Sequence, residues 1–259
     1  MKILKLLMLT CGPLLLTTVL FALPLQASAG TLTGINPDKS APTGDPNVSY
    51  PQISIRTNRT PERTDLNDVI SRADKAASQF PSDDQADRSK AVLAELTSYF
   101  GSGQLGHAWI IIFNSNKEGD YTSYGYHEGY GFVKNGTAGD TNDRPDRMFN
   151  VSKTLPLKNA EETEKNLETK VIPELNKTSV QFANAMGITV EKPENGAYTP
   201  ISNCSWFAGN VWNAATGDSL IFEQDFDGAA HADNWGMPFL SSITKIADPG
   251  MIAESIAKG

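Results

Sequence analysis

The sequence is poor in cysteine, histidine and basic residues. Of its 259 residues, two are cysteine, three are histidine and 22 are lysine or arginine, against 30 aspartate and glutamate residues. Two cysteines cannot build a disulfide framework in a chain of this length. The formal net charge of −8 and the lack of a clustered basic stretch exclude nucleic-acid binding, because phosphate recognition needs a basic face.

Apolar residues are not scarce. They make up 39% of the chain, which is enough for a substantial core. The first 29 residues have a basic start, an apolar run over 6–24 and small residues at 27–29, which is the pattern of a secretory signal. Pro13 interrupts the run and argues against a membrane anchor. We therefore predict cleavage before Gly30, no stable membrane span after cleavage, and a secreted or periplasmic location.

Signal cleavage changes the cysteine count. It removes Cys11, so that Cys204 is the single cysteine of the exported chain. A lone thiol has no partner for a disulfide within its own chain. It is therefore buried and inert, paired to another molecule, or reactive.

The remaining chain is predicted to form one domain behind a leader. Residues 30–64 carry many Pro, Thr, Asn and Asp residues and show no apolar period, which predicts an extended or disordered leader. Residues 65–259 show no internal repeat and mix helical with strand-like patterns, which predicts a single α+β domain. Its predicted elements are helices over 65–79, 83–100, 160–171 (ended or kinked by Pro173, with a continuation over 179–186) and 204–216, strands over 108–113, 121–126 and 148–157, and a surface loop over 129–146.

Cys204 lies in the segment Asn203-Cys204-Ser205-Trp206-Phe207, at the predicted start of a helix. Unpaired backbone amides and the positive end of the helix dipole stabilise a thiolate at such a position. The same amides can hold the oxyanion of a tetrahedral intermediate. The position favours a nucleophile, and the alternative is a small buried apolar residue.

A thiol nucleophile needs a base, and three histidines are available. His107 opens the apolar strand 108–113, where a rigid sheet can hold an imidazole against a helix start and Gly106 leaves room for close approach. His127 ends the strand that is predicted to pair with it and can orient the first imidazole. His231 has a loop-like context with nearby aspartates, and their irregular spacing indicates a solvated loop rather than a metal site.

These elements resemble the papain-like thiol superfamily in its circularly permuted branch. The resemblance covers roughly residues 103–217 and rests on a Gly-His at a strand start, a polar residue on the next strand, and an Asn-Cys-x-x-Phe that opens a helix. That branch includes permuted NlpC-type cell-wall peptidases and the lecithin:retinol acyltransferase group. The resemblance implies an antiparallel sheet packed against helices, with Cys204 as nucleophile, His107 as general base and His127 as the residue that orients the base.

Two features of the sequence depart from that family pattern. The turn between His107 and His127 is long, and Trp206 stands beside the proposed nucleophile. For the role of orienting the base, Glu128 and Asp120 are alternatives to His127.

The resemblance and the predicted export imply an exported cysteine hydrolase that cleaves an amide bond without a cofactor or metal. Peptidoglycan stem peptides are the leading substrate, because cell-wall peptidases belong to the same branch. A thiol acyltransferase, or a hydrolase of lipids or esters with the same fold, is the first alternative, and an apolar slot leading to Cys204 would favour it. A non-catalytic secreted binding domain with an inert buried cysteine is the second.

Overall fold

The computed structural model describes residues 40–137 and 139–259, and the predicted signal peptide 1–29 lies outside them, as do residues 30–39 of the predicted leader. The described residues form a mixed α+β fold around a five-stranded antiparallel sheet, in agreement with the predicted α+β class. Among these residues, every helix is too short or too polar to cross a membrane.

The strands of the main sheet are β1 Gln52–Thr57, β2 Ala108–Phe113, β3 Tyr121–His127, β4 Gly131–Lys134 and β5 Val151–Pro156. They lie in the order β4-β3-β2-β1-β5. The predicted hairpin of β2 and β3 is confirmed, with Ile110 opposite Tyr124. The third predicted strand, over 148–157, is present as β5, which pairs with β1 at the other side of the sheet.

Strand β1 lies inside the segment 30–64 that the sequence predicted as a leader. All six of its residues are buried, and it pairs with β2 on one side and β5 on the other. The folded domain therefore starts before residue 65. The sequence pattern missed the strand because polar side chains alternate with Ile53 and Ile55, and the polar side is covered too.

The helices are α1 Leu66–Ala77, α2 Gln85–Gly101, α3 Ala160–Asn166, α4 Ile172–Ala185, α5 Cys204–Thr216, α6 Gly228–Ala232 and α7 Pro249–Lys258. Three of them, α1, α2 and α5, lie within about two residues of their predicted bounds. Asp65 and Asp84 cap α1 and α2 through side-chain acceptors, and Gly217, with φ of 70°, ends α5. Pro173 does not end its helix, because it stands in the first turn of α4 after a π turn at Leu167–Val171.

Both faces of the main sheet are covered. On one face, Ile110 and Tyr124 pack in the main core with Phe207 of α5. On the other face, a smaller cluster around Trp109 is packed by Ala41 and other residues from outside the sheet. A third apolar cluster joins α1, α2 and α6, and a short second sheet is formed by β6 (Glu223–Asp225) and β7 (Lys245–Ala247).

Candidate functional site

Cys204 is the first residue of α5 and is buried. The side chain of Asn203 caps this helix by accepting hydrogen bonds from the backbone amides of Ser205 and Trp206, at 2.9 and 3.1 Å. Its Nδ2 donates to the carbonyl oxygen of Ala247 at 2.9 Å. The cap thus fixes the direction of the helix start and leaves the Cys204 amide outside the Asn203 hydrogen bonds.

His107 stands immediately before β2, with its imidazole between Cys204 and Asp143. The ring lies beside the Cys204 sulfur, and its Nε2 lies 2.8 Å from Oδ1 of Asp143. Because Nε2 is taken by the carboxylate, Nδ1 is the nitrogen left for the sulfur. The ring also stacks on Trp109, with centroids 5.4 Å apart and planes 13° apart. The hydrogen bond to Asp143 and the stacking on Trp109 hold the ring in place.

His127 lies next to His107 but binds the opposite side of the same carboxylate. The two ring centroids are 4.9 Å apart, and Nε2 of His127 is 2.7 Å from Oδ2 of Asp143. The structure therefore brings all three predicted site residues, Cys204, His107 and His127, together. The side chain that is hydrogen-bonded to Nε2 of His107 is nevertheless Asp143.

The two alternatives for that role lie elsewhere. Asp120 accepts a hydrogen bond from the Ser115 hydroxyl in the turn between β2 and β3. Glu128 is exposed at the end of β3. Neither of them occupies the position that Asp143 holds against the base.

Asp143 is the site residue that the sequence analysis did not identify. It lies in the predicted surface loop 129–146, yet it is only 1% exposed and accepts a further hydrogen bond from Nη1 of Arg147 at 2.7 Å. Gly125 makes this burial possible, because a Cβ at that position would clash with Oδ2 of Asp143 and with the His127 ring. A glycine two residues before His127, on the same face of β3, is the sequence signal that was available.

The electrostatics of the site favour a thiolate beside an imidazolium. Burial opposes protonation of His107, but the Asp143 carboxylate and the Cys204 sulfur outweigh it and raise the His107 pKa to about 9. Burial also raises the pKa of the Cys204 thiol, and the neighbouring His107 outweighs this and brings that pKa below its usual value. For Asp143, the effect of burial is outweighed by the two imidazoles, which hold its pKa low.

Tyr198 supplies a further polar group that the sequence analysis did not single out. Its side chain lies next to Cys204 and interacts with the thiol. Burial, and secondly the Cys204 sulfur, raise the Tyr198 pKa well above its usual value. The hydroxyl therefore stays protonated and places a neutral donor beside the nucleophile.

His107, His127 and Asp143 also have ligand atoms within 4.8 Å of one another, a spacing that can suit a metal ion. The Asp143 oxygens, however, already accept hydrogen bonds from both imidazoles. The Arg147 guanidinium adds a positive charge 2.7 Å from one of them. These contacts fit a hydrogen-bonded proton network better than a cation site. His231 lies apart from this group, stacked against Trp235 at 4.7 Å between centroids.

Comparisons of the chain with protein-family models, with curated proteins and with solved structures find no match.

Proposed function

We propose that this protein is an exported cysteine hydrolase that cleaves an amide bond through Cys204, His107 and Asp143. One observation carries the proposal: a cysteine at a helix start lies beside an imidazole whose Nε2 binds a buried carboxylate. Enzymes that transfer acyl groups through a thiol or a hydroxyl combine the same three groups: a nucleophile, a base and a group that orients the base. The lowered pKa of Cys204 argues against an inert buried cysteine, whose pKa burial alone would raise.

The reaction begins with the Cys204 thiolate, which attacks the carbonyl carbon and forms a C–S bond while the carbonyl electrons move to the oxygen. We assign the Cys204 backbone amide, at the start of α5, and the Tyr198 hydroxyl, beside the sulfur, as the donors to this oxyanion. His107 gives its Nδ1 proton to the amide nitrogen as the C–N bond breaks, and the amine leaves. A water then attacks the thioester, passes a proton to His107, and releases the carboxylic acid and the thiolate.

Asp143 acts through His107 in this scheme. By accepting a hydrogen bond from Nε2–H, the Asp143 carboxylate keeps Nδ1 directed at the sulfur and stabilises the imidazolium that the first step requires. His127 and Arg147 in turn hold the two oxygens of the carboxylate. In this proposal His127 therefore positions Asp143 rather than His107, which replaces the role that the sequence analysis gave it.

Peptidoglycan stem peptides are the proposed substrate, supported by the predicted signal peptide and by the resemblance to cell-wall peptidases. An acyltransferase or ester hydrolase with the same thiol is the second candidate, and the feature that bears on it is an apolar cavity near the site. Leu105 lines this cavity and directly precedes Gly106, whose carbonyl oxygen is 3.9 Å from the Cys204 sulfur. Cys204 and His107 are not among the lining residues, so the cavity adjoins the thiol without leading to it. Other apolar residues of the lining include Leu66, Val69, Ile70, Leu96, Phe100 and Phe226.

Digestion of purified sacculi and of a p-nitrophenyl ester of a medium-length fatty acid separates the candidates. We expect the wild-type chain to release new muropeptide fragments, detected by mass spectrometry, and Cys204→Ala to release none. His231→Gln is the matched control, because this histidine lies away from the site. Equal digestion by wild type and Cys204→Ala would show that Cys204 is not the nucleophile. Cys204-dependent cleavage of the ester alone would favour the second candidate.

A further inference from the structure

A buried arginine lies beneath the loop that carries Asp143. Arg56 of β1 is 1% exposed, and its Nη1 donates to the Pro145 carbonyl at 2.7 Å while its Nη2 donates to the Ala41 carbonyl at 2.8 Å. The guanidinium lies 4.5 Å from the ring centroid of Phe149 and 5.4 Å from that of Phe113. Among the described residues, its Nε has no hydrogen-bond partner and no carboxylate pairs with it.

In this environment an arginine lowers the stability of the fold, because its charge is removed from water without a counterion in the described part of the chain. Burial without an opposite charge disfavours the cation and lowers the pKa of Arg56 to about 9. An apolar side chain of similar length would fill the space between the two rings without that desolvation cost. What arginine alone adds is a planar fork of donors that reaches two carbonyl oxygens at once.

One of these carbonyls belongs to the loop that builds the site. Pro145 lies midway between Asp143, which binds His107, and Arg147, which binds Asp143. Arg56 also stands opposite Trp109 in the strand register. The His107 ring and the Arg147 guanidinium both lie against that indole, at 5.4 and 5.0 Å between centres. Arg56 therefore contacts the Asp143 loop through Pro145 and is paired in the sheet with Trp109, against which His107 and Arg147 pack.

We propose that Arg56 is a positioning residue for the site: its hydrogen bond to the Pro145 carbonyl, from a guanidinium that is also bound to the Ala41 carbonyl, holds the Asp143 loop at the depth where the carboxylate meets Nε2 of His107. This inference rests on the proposed function, because it assigns Arg56 a role in activating Cys204. Without the fork, the Pro145 carbonyl is released and the loop can move away from His107. The imidazolium then loses its partner, and the Cys204 thiolate loses the imidazolium.

Alkylation by iodoacetamide tests the proposal without a substrate. The rate at Cys204 is followed in the full chain between about pH 5 and pH 9, by mass spectrometry of the peptide that contains Cys204. We expect Arg56→Met to lower the rate below neutral pH by about tenfold, which is the loss of thiolate for one unit of pKa. The alkylation rate of Arg56→Lys should lie between those of the wild type and Arg56→Met, since an ammonium group reaches one of the two carbonyls. Arg63→Met is the matched control, because Arg63 is half exposed and binds Glu254.

A double-variant comparison separates positioning from a general structural effect. In a chain that already carries Asp143→Asn, Arg56→Met should change the alkylation rate less than twofold, since Arg56 acts through Asp143. A tenfold fall in both backgrounds, or an unchanged pH profile in a folded Arg56 variant, would overturn the proposal. If circular dichroism shows that Arg56→Met does not fold, Arg56→Lys decides, because it keeps the cation between the rings. An ordinary thiol profile in the wild type would instead contradict the proposed function itself.

Discussion

The exchange of Asp143 for asparagine tests the centre of the proposed mechanism with a change of one atom. The carboxylate accepts hydrogen bonds from His107, His127 and Arg147 and uses both of its oxygens. Asparagine keeps one acceptor oxygen, and its NH₂ group faces a second donor in place of the other oxygen. One imidazole therefore has to turn or to change its tautomer, and the negative charge beside the rings is lost.

The size of the effect follows from the His107 pKa. A value of about 9 in place of 6.5 corresponds to roughly 3 kcal/mol in favour of the charged ring. This is a net value, because the Asp143 carboxylate and the Cys204 sulfur raise the pKa while burial lowers it; roughly 3 kcal/mol therefore sets the scale of the carboxylate's contribution and does not bound it. Once Asp143 is neutral, burial is unopposed by that charge and lowers the His107 pKa. We expect the thiolate–imidazolium pair at neutral pH to fall by about 100-fold, and amide cleavage to fall by at least as much.

The assay is the pH profile of Cys204 alkylation together with muropeptide release, each measured on Asp143→Asn. Asp120→Asn and Glu128→Gln are the matched controls, since both remove a carboxylate that the sequence offered for the same role. We expect both controls to keep the wild-type profile. An unchanged profile in Asp143→Asn, or a similar loss in either control, would refute the assignment of Asp143.

Four further outcomes are expected. Tyr198→Phe should lower amide cleavage by about 10–100-fold in steady-state assays while the helix content stays unchanged, because one oxyanion donor is lost. Gly125→Ala should abolish cleavage in a chain that circular dichroism shows to be folded, because the new methyl group displaces Asp143. Asn203→Ala should lower the free energy of unfolding in urea by about 1–3 kcal/mol, through the lost helix cap and the unpaired Ala247 carbonyl. Asp143 has a lowered pKa in the folded state, so its ion pairs stabilise the protein above pH 3.8 and are lost as the pH falls through the folded-state pKa. The difference in free energy of unfolding between wild type and Asp143→Asn, measured by urea melts, should therefore become smaller in acid.

The parts of the fold that local patterns encode were predictable. Strand β2 is a continuous apolar run, and α5 has both a capping asparagine and a terminal glycine. Strand β1 was not predictable in this way, because one of its faces carries Gln52, Ser54 and Arg56. These polar side chains are buried only because residues far along the chain cover them, as when Ser54 binds Thr154 and Arg56 binds Pro145.

The candidate site also contains residues that local sequence patterns reveal and residues that they do not. Cys204 and His107 are visible in the sequence because each stands at the start of a regular element, where a helix dipole or a rigid strand gives the side chain a chemical use. Asp143 stands in a loop rich in glycine and aspartate, a composition that predicts solvent exposure. Its burial depends on the space at Gly125, which belongs to another strand, and on an ion pair with Arg147 that forms only when the loop is folded.

His107 contacts residues on both sides of the sheet because it stands immediately before β2 rather than within it. Residues inside the strand point to one face or the other, as Trp109 and Ile110 do. At this position the ring reaches Cys204 of α5 on one side of the sheet and Asp143 on the other. In the proposed mechanism, activation of the thiol therefore depends on both sides of the sheet. We expect substitutions on the side of Arg56, which does not contact Cys204, to alter the reactivity of its sulfur.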